Sequence, residues 1–240
     1  MRTDARDMHF SALNKAVRES ADKEIVIENC IGQRYIAAGL SGKEIRIFGT
    51  PGNALGAYLN GGSILVEGNV QEATGDTMNG GEIVVNGSAG DATGYAMRGG
   101  KIFVRGNAGY RCGIHMKAYR ENKPAIVIGG RAGSFLGEYQ AGGTIVVLGD
   151  HADGKPVVGY FCGTGMHGGE IYLRADAVPA GLPPQVKTER LERLPEGEVK
   201  ELVRRWCALF GKEEKAFVGA AYWRLTPDVD NPYKQMYTVN

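Results

Sequence analysis

Two constellations in this 240-residue chain have the spacing of metal or nucleophile chemistry. Cys112 and His115 form a C-x-x-H, and Cys162 and His167 a C-x4-H. Two such pairs could supply four ligands to a zinc ion, or a thiolate activated by a neighbouring imidazole. The runs GYAMRGG (94–100) and GTGMHGG (163–169) have the glycine density of a nucleotide-binding loop, and their methionines could suggest a soft-metal or cofactor box. Carboxylates recur near the same glycines, at Asp76, Asp91, Glu138 and Asp150. Each candidate has to be judged against the element that would position it.

Those elements repeat. Similar units open at Gly49, Gly68, Gly87 and Gly106, 19 residues apart. The pattern resumes at Gly130 and Gly149 after a longer unit, and a degenerate copy runs from Cys30. Each unit reads as glycine-punctuated turns, a Gly-Gly pair, and a single strand. A lone strand cannot bury its face, so the copies must stack on one another. The connections are too short for a crossover helix, which excludes a βαβ unit. The fold class expected is therefore all-β: a right-handed parallel β-helix of about seven coils with strands roughly 4.8 Å apart. The glycines would sit where the chain turns sharply or passes too close to the next coil for a Cβ.

Stacking the copies sorts the residues into rows. Ile45, Ile64, Ile83, Ile102, Ile126, Ile145 and Ile171 share one strand position. Two residues on come Ile47, Val66, Val85, Val104, Ile128, Val147 and Leu173. Period-two alternation directs both rows inward. Before the Gly-Gly sites stand Leu40, Leu59, Met78, Met97, Met116, Gln140 and Met166. Before the mid-turn glycine stand Ile36, Leu55, Thr74, Thr93, Cys112, Leu136 and Cys162. Between the strand rows lies an outward one: Arg46, Leu65, Val84, Phe103, Val127, Val146 and Tyr172. Six of these seven are apolar, so either the chain's own tail or another protein must cover them.

The rows dispose of the chemistry. Cys112 and Cys162 fall in one interior row, where a thiol behaves as a small apolar side chain and cannot reach a substrate. The methionines are core filling. Each Gly-Gly pair precedes a strand, whereas a dinucleotide loop opens a helix. The four carboxylates read as solvated turn residues. No catalytic, cofactor-binding or metal-ligating residue is assigned. The longer units, near 117–124 and 151–158, are the sites where insertions would make specific contacts.

The ends differ from the repeats. Residues 9–20 have a helical pattern and EIVIENC (24–30) is a lead-in strand, together able to cap the first coil. After Arg174 comes a Pro-rich linker. A helix follows with Val199, Leu202, Val203, Trp206, Leu209 and Phe210 on one face, ended by Gly211. The last stretch, AAYWRLTPDVDNPYKQMYTVN, is aromatic and reads as an irregular docking segment. Three parts result: 1–29, the N-terminal helix and capping strand; 30–174, the repeats; and 175–240, the linker, helix and tail. Hydrophobic residues make up 43% and charged residues 23%, which suits a globular core, and the net charge of +1 favours neither nucleic acid nor an anionic membrane. Four scattered cysteines and no apolar leader or span imply a cytoplasmic protein. An outer row of apolar residues argues against a secreted polysaccharide enzyme, which would carry catalytic carboxylates there. Hexapeptide-repeat acyltransferases are excluded by the longer unit.

The repeated Gly-x-x-Gly…Gly-Gly-x-Ile-x-Val-x-Gly pattern over 30–174, with GTPGNALGAYLNGG and AGGTIVVLG above all, resembles the C-terminal domain of the glutamate synthase large subunit. It is also similar to the glycine-repeat subunit of formylmethanofuran dehydrogenase. The resemblance implies a right-handed β-helix without an active site, holding a glutaminase and an FMN/iron–sulfur synthase together while they make glutamate from glutamine and 2-oxoglutarate. Here there is no N-terminal cysteine nucleophile, flavin barrel or iron–sulfur cysteine cluster, so the chain resembles a stand-alone third subunit. The partners implied are a glutaminase subunit and an FMN/iron–sulfur synthase subunit, with a homo-oligomer also compatible. The similarity to formylmethanofuran dehydrogenase implies instead a scaffold of a formyl-transfer complex, and an N-methylglutamate synthase is a related alternative.

Overall fold

A computed structural model describes residues 1–228. It is mostly β. In chain order the elements are β1 (Arg2–Asp4), α1 (Phe10–Glu19), β2 (Glu24–Ile31), β3 (Glu44–Thr50), β4 (Asn60–Glu67), β5 (Gly80–Val85), β6 (Lys101–Val104) and β7 (Ala125–Ile128). There follow β8 (Ala141–Val147), β9 (Gly168–Leu173), β10 (Val186–Leu191), α2 (Glu198–Phe210), α3 (Lys215–Val218) and β11 (Tyr222–Pro227). The strands form one 11-stranded sheet, in sequence order from β1 to β9 and then β11 and β10. Pairing is parallel through β9 and antiparallel beyond it.

The register is the one the rows require. Ile45 pairs with Ile64, Ile64 with Ile83, and so on through Ile102, Ile126, Ile145 and Ile171. Both inward strand rows are buried along their whole length. In the row before the Gly-Gly sites only Leu40 is partly exposed. Gln140 is its one polar member: its amide donates to the carbonyls of Gly142 and Gly143, and its Oε1 has no partner among the described residues. A second line of pairing runs beside the sheet, linking Val70, Ala89, Ala108, Ala132 and Val158 by isolated parallel bridges. Polar side chains continue it: Asn69 Oδ1 accepts from Ser88 N, Ser88 Oγ from Asn107 N, and Asn107 Oδ1 from Arg131 N.

Two glycine positions show why the repeat needs no side chain there. Gly94, at φ 71°, faces the strand of the following repeat, and a Cβ on it would lie 2.4 Å from Ile126 Cδ1. Gly62, at φ 87°, passes so close to the preceding repeat that a Cβ would lie 2.3 Å from Lys43 O. The first closes the interior; the second sets the spacing between repeats. Both need the conformational freedom of glycine as well as its size.

The apolar outer row is covered by the chain itself. Val84, Phe103, Val127, Val146 and Tyr172 are buried in one cluster with Val199, Leu202, Val203, Trp206 and Cys207 of α2 and with Phe217 of α3. Trp206 is fully buried and its Nε1 donates to Val104 O at 2.9 Å. Around that contact Arg205 bridges to Glu82 at 2.7 Å and Lys212 to Asp150 at 2.6 Å. The helix ends at Gly211, whose φ of 63° and N–H to Cys207 O form a left-handed cap. At the other end of the stack, Leu13 and Val17 of α1 join the interior cluster, and Asn14 and Arg18 donate to the carbonyls of Arg34 and Ala38.

The irregular segment expected over AAYWRLTPDVDNPYKQMYTVN needs correction in its first part. Residues 222–227 are strand β11, inserted between β9 and β10, with Arg224 salt-bridged to Glu170 and Glu189. β10 and the short β1, which pairs with β2, also went unanticipated. The remainder of that docking segment, 229–240, lies outside the described residues.

Candidate interaction surface

The residues singled out for chemistry are placed apart. Cys112 and Cys162 are buried in the interior row, while His115 and His167 are exposed on the wall. Burial pushes both thiols up to about 12 and those of Cys30 and Cys207 up to about 11. All four cysteines are free. Among the described residues no three His, Cys, Asp or Glu side chains converge as a metal site would need.

All four carboxylates lie in turns, as expected, and Asp91 is exposed; the correction is to Glu138, which is buried, and each of the four makes a specific contact. Asp91 Oδ1 accepts from Tyr110 N at 2.7 Å, tying one repeat to the next. Asp76 accepts from the Thr77 hydroxyl. Glu138 is 7% exposed and binds Arg111 Nε at 2.8 Å. Asp150 holds Lys212 and so anchors the end of α2. The insertion near 117–124 carries the Tyr119–Asn122 bridge and reaches α2 through Lys123 and Glu198 at 3.9 Å. The 151–158 insertion lines an open cleft of about 650 Å³ with the 174–180 segment.

One surface feature escaped the rows altogether. Of ten exposed large apolar side chains among the described residues, seven (Tyr35, Tyr58, Tyr95, Tyr110, Tyr139, Tyr160 and Phe161) fall within or beside the mid-repeat turns, the aromatic corner of the stack. Tyr160 is 67% exposed and Phe161 51%. The rings form two groups: Tyr110 meets Phe135 at 5.2 Å and Phe135 meets Phe161 at 4.9 Å, while His115 stacks on Tyr139 at 5.1 Å and meets Tyr95 at 5.9 Å. Arg111 lies over the rings of Tyr110 and Phe135 while bonded to Glu138.

The backbone under these rings is strained. Phe135 (φ 61°), Tyr139 (φ 53°), Phe161 (φ 61°), Tyr58 (φ 57°) and His115 (φ 56°) all adopt the left-handed conformation that glycine takes without cost. At the Tyr139 position the first and last repeats do carry glycine, Gly39 and Gly165. Each bulky residue there costs on the order of 1 kcal/mol, and such strain collects at functional surfaces. The signal available in the sequence was confined to the Tyr139 column, where rings at Tyr58, His115 and Tyr139 stand in line with Gly39 and Gly165.

Fold and surface together define a glycine-punctuated repeat protein, one strand to each repeat, with a filled interior and an aromatic corner. The chain belongs to the GXGXG motif family, whose sequence profile matches residues 13–227. An uncharacterized protein of Methanocaldococcus jannaschii is 43% identical over 250 aligned residues, covering 98% of this chain and 95% of that protein. Among solved structures, a chain of the formyltransferase/hydrolase complex from Methylorubrum extorquens, determined with methylofuran, superposes with a TM-score of 0.67. It is 22% identical, over 96% of this chain and 92% of that chain, and the likeness is one of fold.

Proposed function

We propose that this chain is a non-catalytic scaffold subunit of a multi-subunit glutamate synthase, wound as a right-handed parallel β-helix and holding a glutaminase and an FMN/iron–sulfur synthase subunit together in the cytoplasm. The cofactors would belong to those partners. The observation that carries the scaffold reading is the placement of reactive groups: the thiols are sealed in a filled interior, and what the surface offers is an aromatic corner suited to contact. The motifs GTPGNALGAYLNGG and AGGTIVVLG support glutamate synthase in particular. In this reading 1–29 caps the stack, 30–174 forms the coils, and 175–240 supplies the linker, the helix that covers the strand face and the docking tail.

A second reading has its own observation. The fold neighbour is part of a formyltransferase/hydrolase complex, which supports a scaffold role in formyl transfer at least as well. Co-expression separates the two. The full chain is tagged and produced once with glutaminase and flavin-containing synthase polypeptides, and once with formyltransferase/hydrolase subunits. Stoichiometric retention of the first set is the expected result. Retention of the second set alone transfers the role to formyl transfer, and retention of neither rejects both.

A further inference from the structure

We propose that the cleft between the 151–158 insertion and the 174–180 segment binds a small aliphatic carboxylate, held by Arg174 and Arg190. This goes beyond the scaffold reading and does not depend on which complex the chain serves. The cleft, of about 650 Å³, has the size of a small-molecule site. Aliphatic side chains, among them Ala152, Val157, Val158, Ala175 and Val178, make most of its wall.

Each guanidinium is anchored by a carbonyl and a ring. Arg174 donates from Nε to Leu148 O at 2.6 Å and lies over the Phe217 ring at 4.9 Å. Arg190 donates from Nη1 to Asp176 O at 3.0 Å and lies over the Trp223 ring at 5.4 Å. Neither meets a carboxylate among the described residues, whereas Arg204, Arg205, Lys212 and Arg224 each hold one. A planar guanidinium fixed in this way keeps N–H groups for two-point contact with a carboxylate and has little freedom left to lose. The remaining charges are of both signs. Lys155 adds a third cation, and Asp153 and Asp176 also line the cleft. Arg190, Lys155 and both aspartates are exposed, while Arg174 is half-buried. None of the five is in an ion pair among the described residues, so cations exceed acids by one. Asp150, beside the lining residue Gly149, is already neutralised by Lys212. An anion is therefore the charge that fits. The aliphatic wall favours a hydrocarbon body beside that charge, which a bare phosphate lacks.

Titration calorimetry on the purified full chain tests this with glutarate as the probe, and with its neutral diamide and pyrophosphate for comparison. The variants are Arg190→Gln and Arg174→Lys, with Lys15→Gln on α1, at the other end of the stack, as the control. The proposal expects saturable glutarate binding that weakens about tenfold or more in both arginine variants, is unchanged in the control and falls as salt is added. The diamide should not bind, and pyrophosphate should bind more weakly than glutarate. No saturable glutarate binding at millimolar concentration overturns the site, and so does binding undiminished in both arginine variants. Diamide binding equal to that of glutarate overturns the role of charge. Pyrophosphate binding tighter than glutarate assigns the arginines to phosphate and overturns the carboxylate. Should Arg174→Lys lower the unfolding midpoint of the free chain, Arg190→Gln, at an exposed side chain, decides alone. None of these outcomes bears on the scaffold reading, which co-expression decides.

Discussion

A thiol held near pKa 12 by burial is no nucleophile at neutral pH, and this fixes what the cysteines do. Cys112 and Cys162 fill an interior row, so native protein at pH 8 should resist a thiol-specific reagent at all four cysteines and react at all four when unfolded. The linkage has a sign. These thiols have folded values raised above their ordinary 9.0, so the native state keeps protons that the unfolded chain releases. Their contribution is fully present below about pH 9 and should be lost as pH rises from there toward 12. Urea denaturation at pH 8 and pH 10.5 checks this: stability should fall, and a rise contradicts it. The inward fate of these cysteines was legible from their row alone. The roles of Asp91 and Glu138 were not, because the partners they bind, Tyr110 N and Arg111, belong to neighbouring repeats or are reached only once the turn folds.

At the scale of elements, α2 is the piece that converts an aggregation-prone strand face into a closed molecule. Its amphipathic pattern and its glycine stop were readable in the sequence. Its destination was not, since an apolar helix and an apolar strand row each ask for a cover without naming one. Trp206 locks the two together, fully buried with its indole N–H on Val104 O. Trp206→Ala should cost about 3–5 kcal/mol. In hydrogen exchange the α2 amides should lose protection before those of β4 to β8, and unaltered α2 protection contradicts the packing described. β10 and β11 were illegible for a physical reason. VKTERL is polar at four of its six positions because it is a sheet edge, and AYWRLTP lacks alternation because its pairing to β9 and β10 is set by distant residues.

Across the whole molecule, the repeat dictates a stack, the ends seal it, and the tail covers one of its faces. The parallel register and interior rows followed from period and alternation, since like residues recur at like positions. The exposed rings did not, because they are scattered over several turn positions, and a column such as Tyr35, Ala54, Ala73, Ala92, Arg111, Phe135 and Phe161 changes identity along the chain. The thiols are internal and a set of rings on the repeat turns is exposed, which is the arrangement the scaffold reading proposed above draws on. The direct measurement is coupling: glutamate formed per glutamine hydrolysed by the glutaminase and synthase polypeptides, with and without this chain. The account predicts that the chain alone turns over nothing and that adding it brings the ratio toward a fixed, coupled value. Turnover by the chain alone, or a ratio indifferent to its presence, contradicts it.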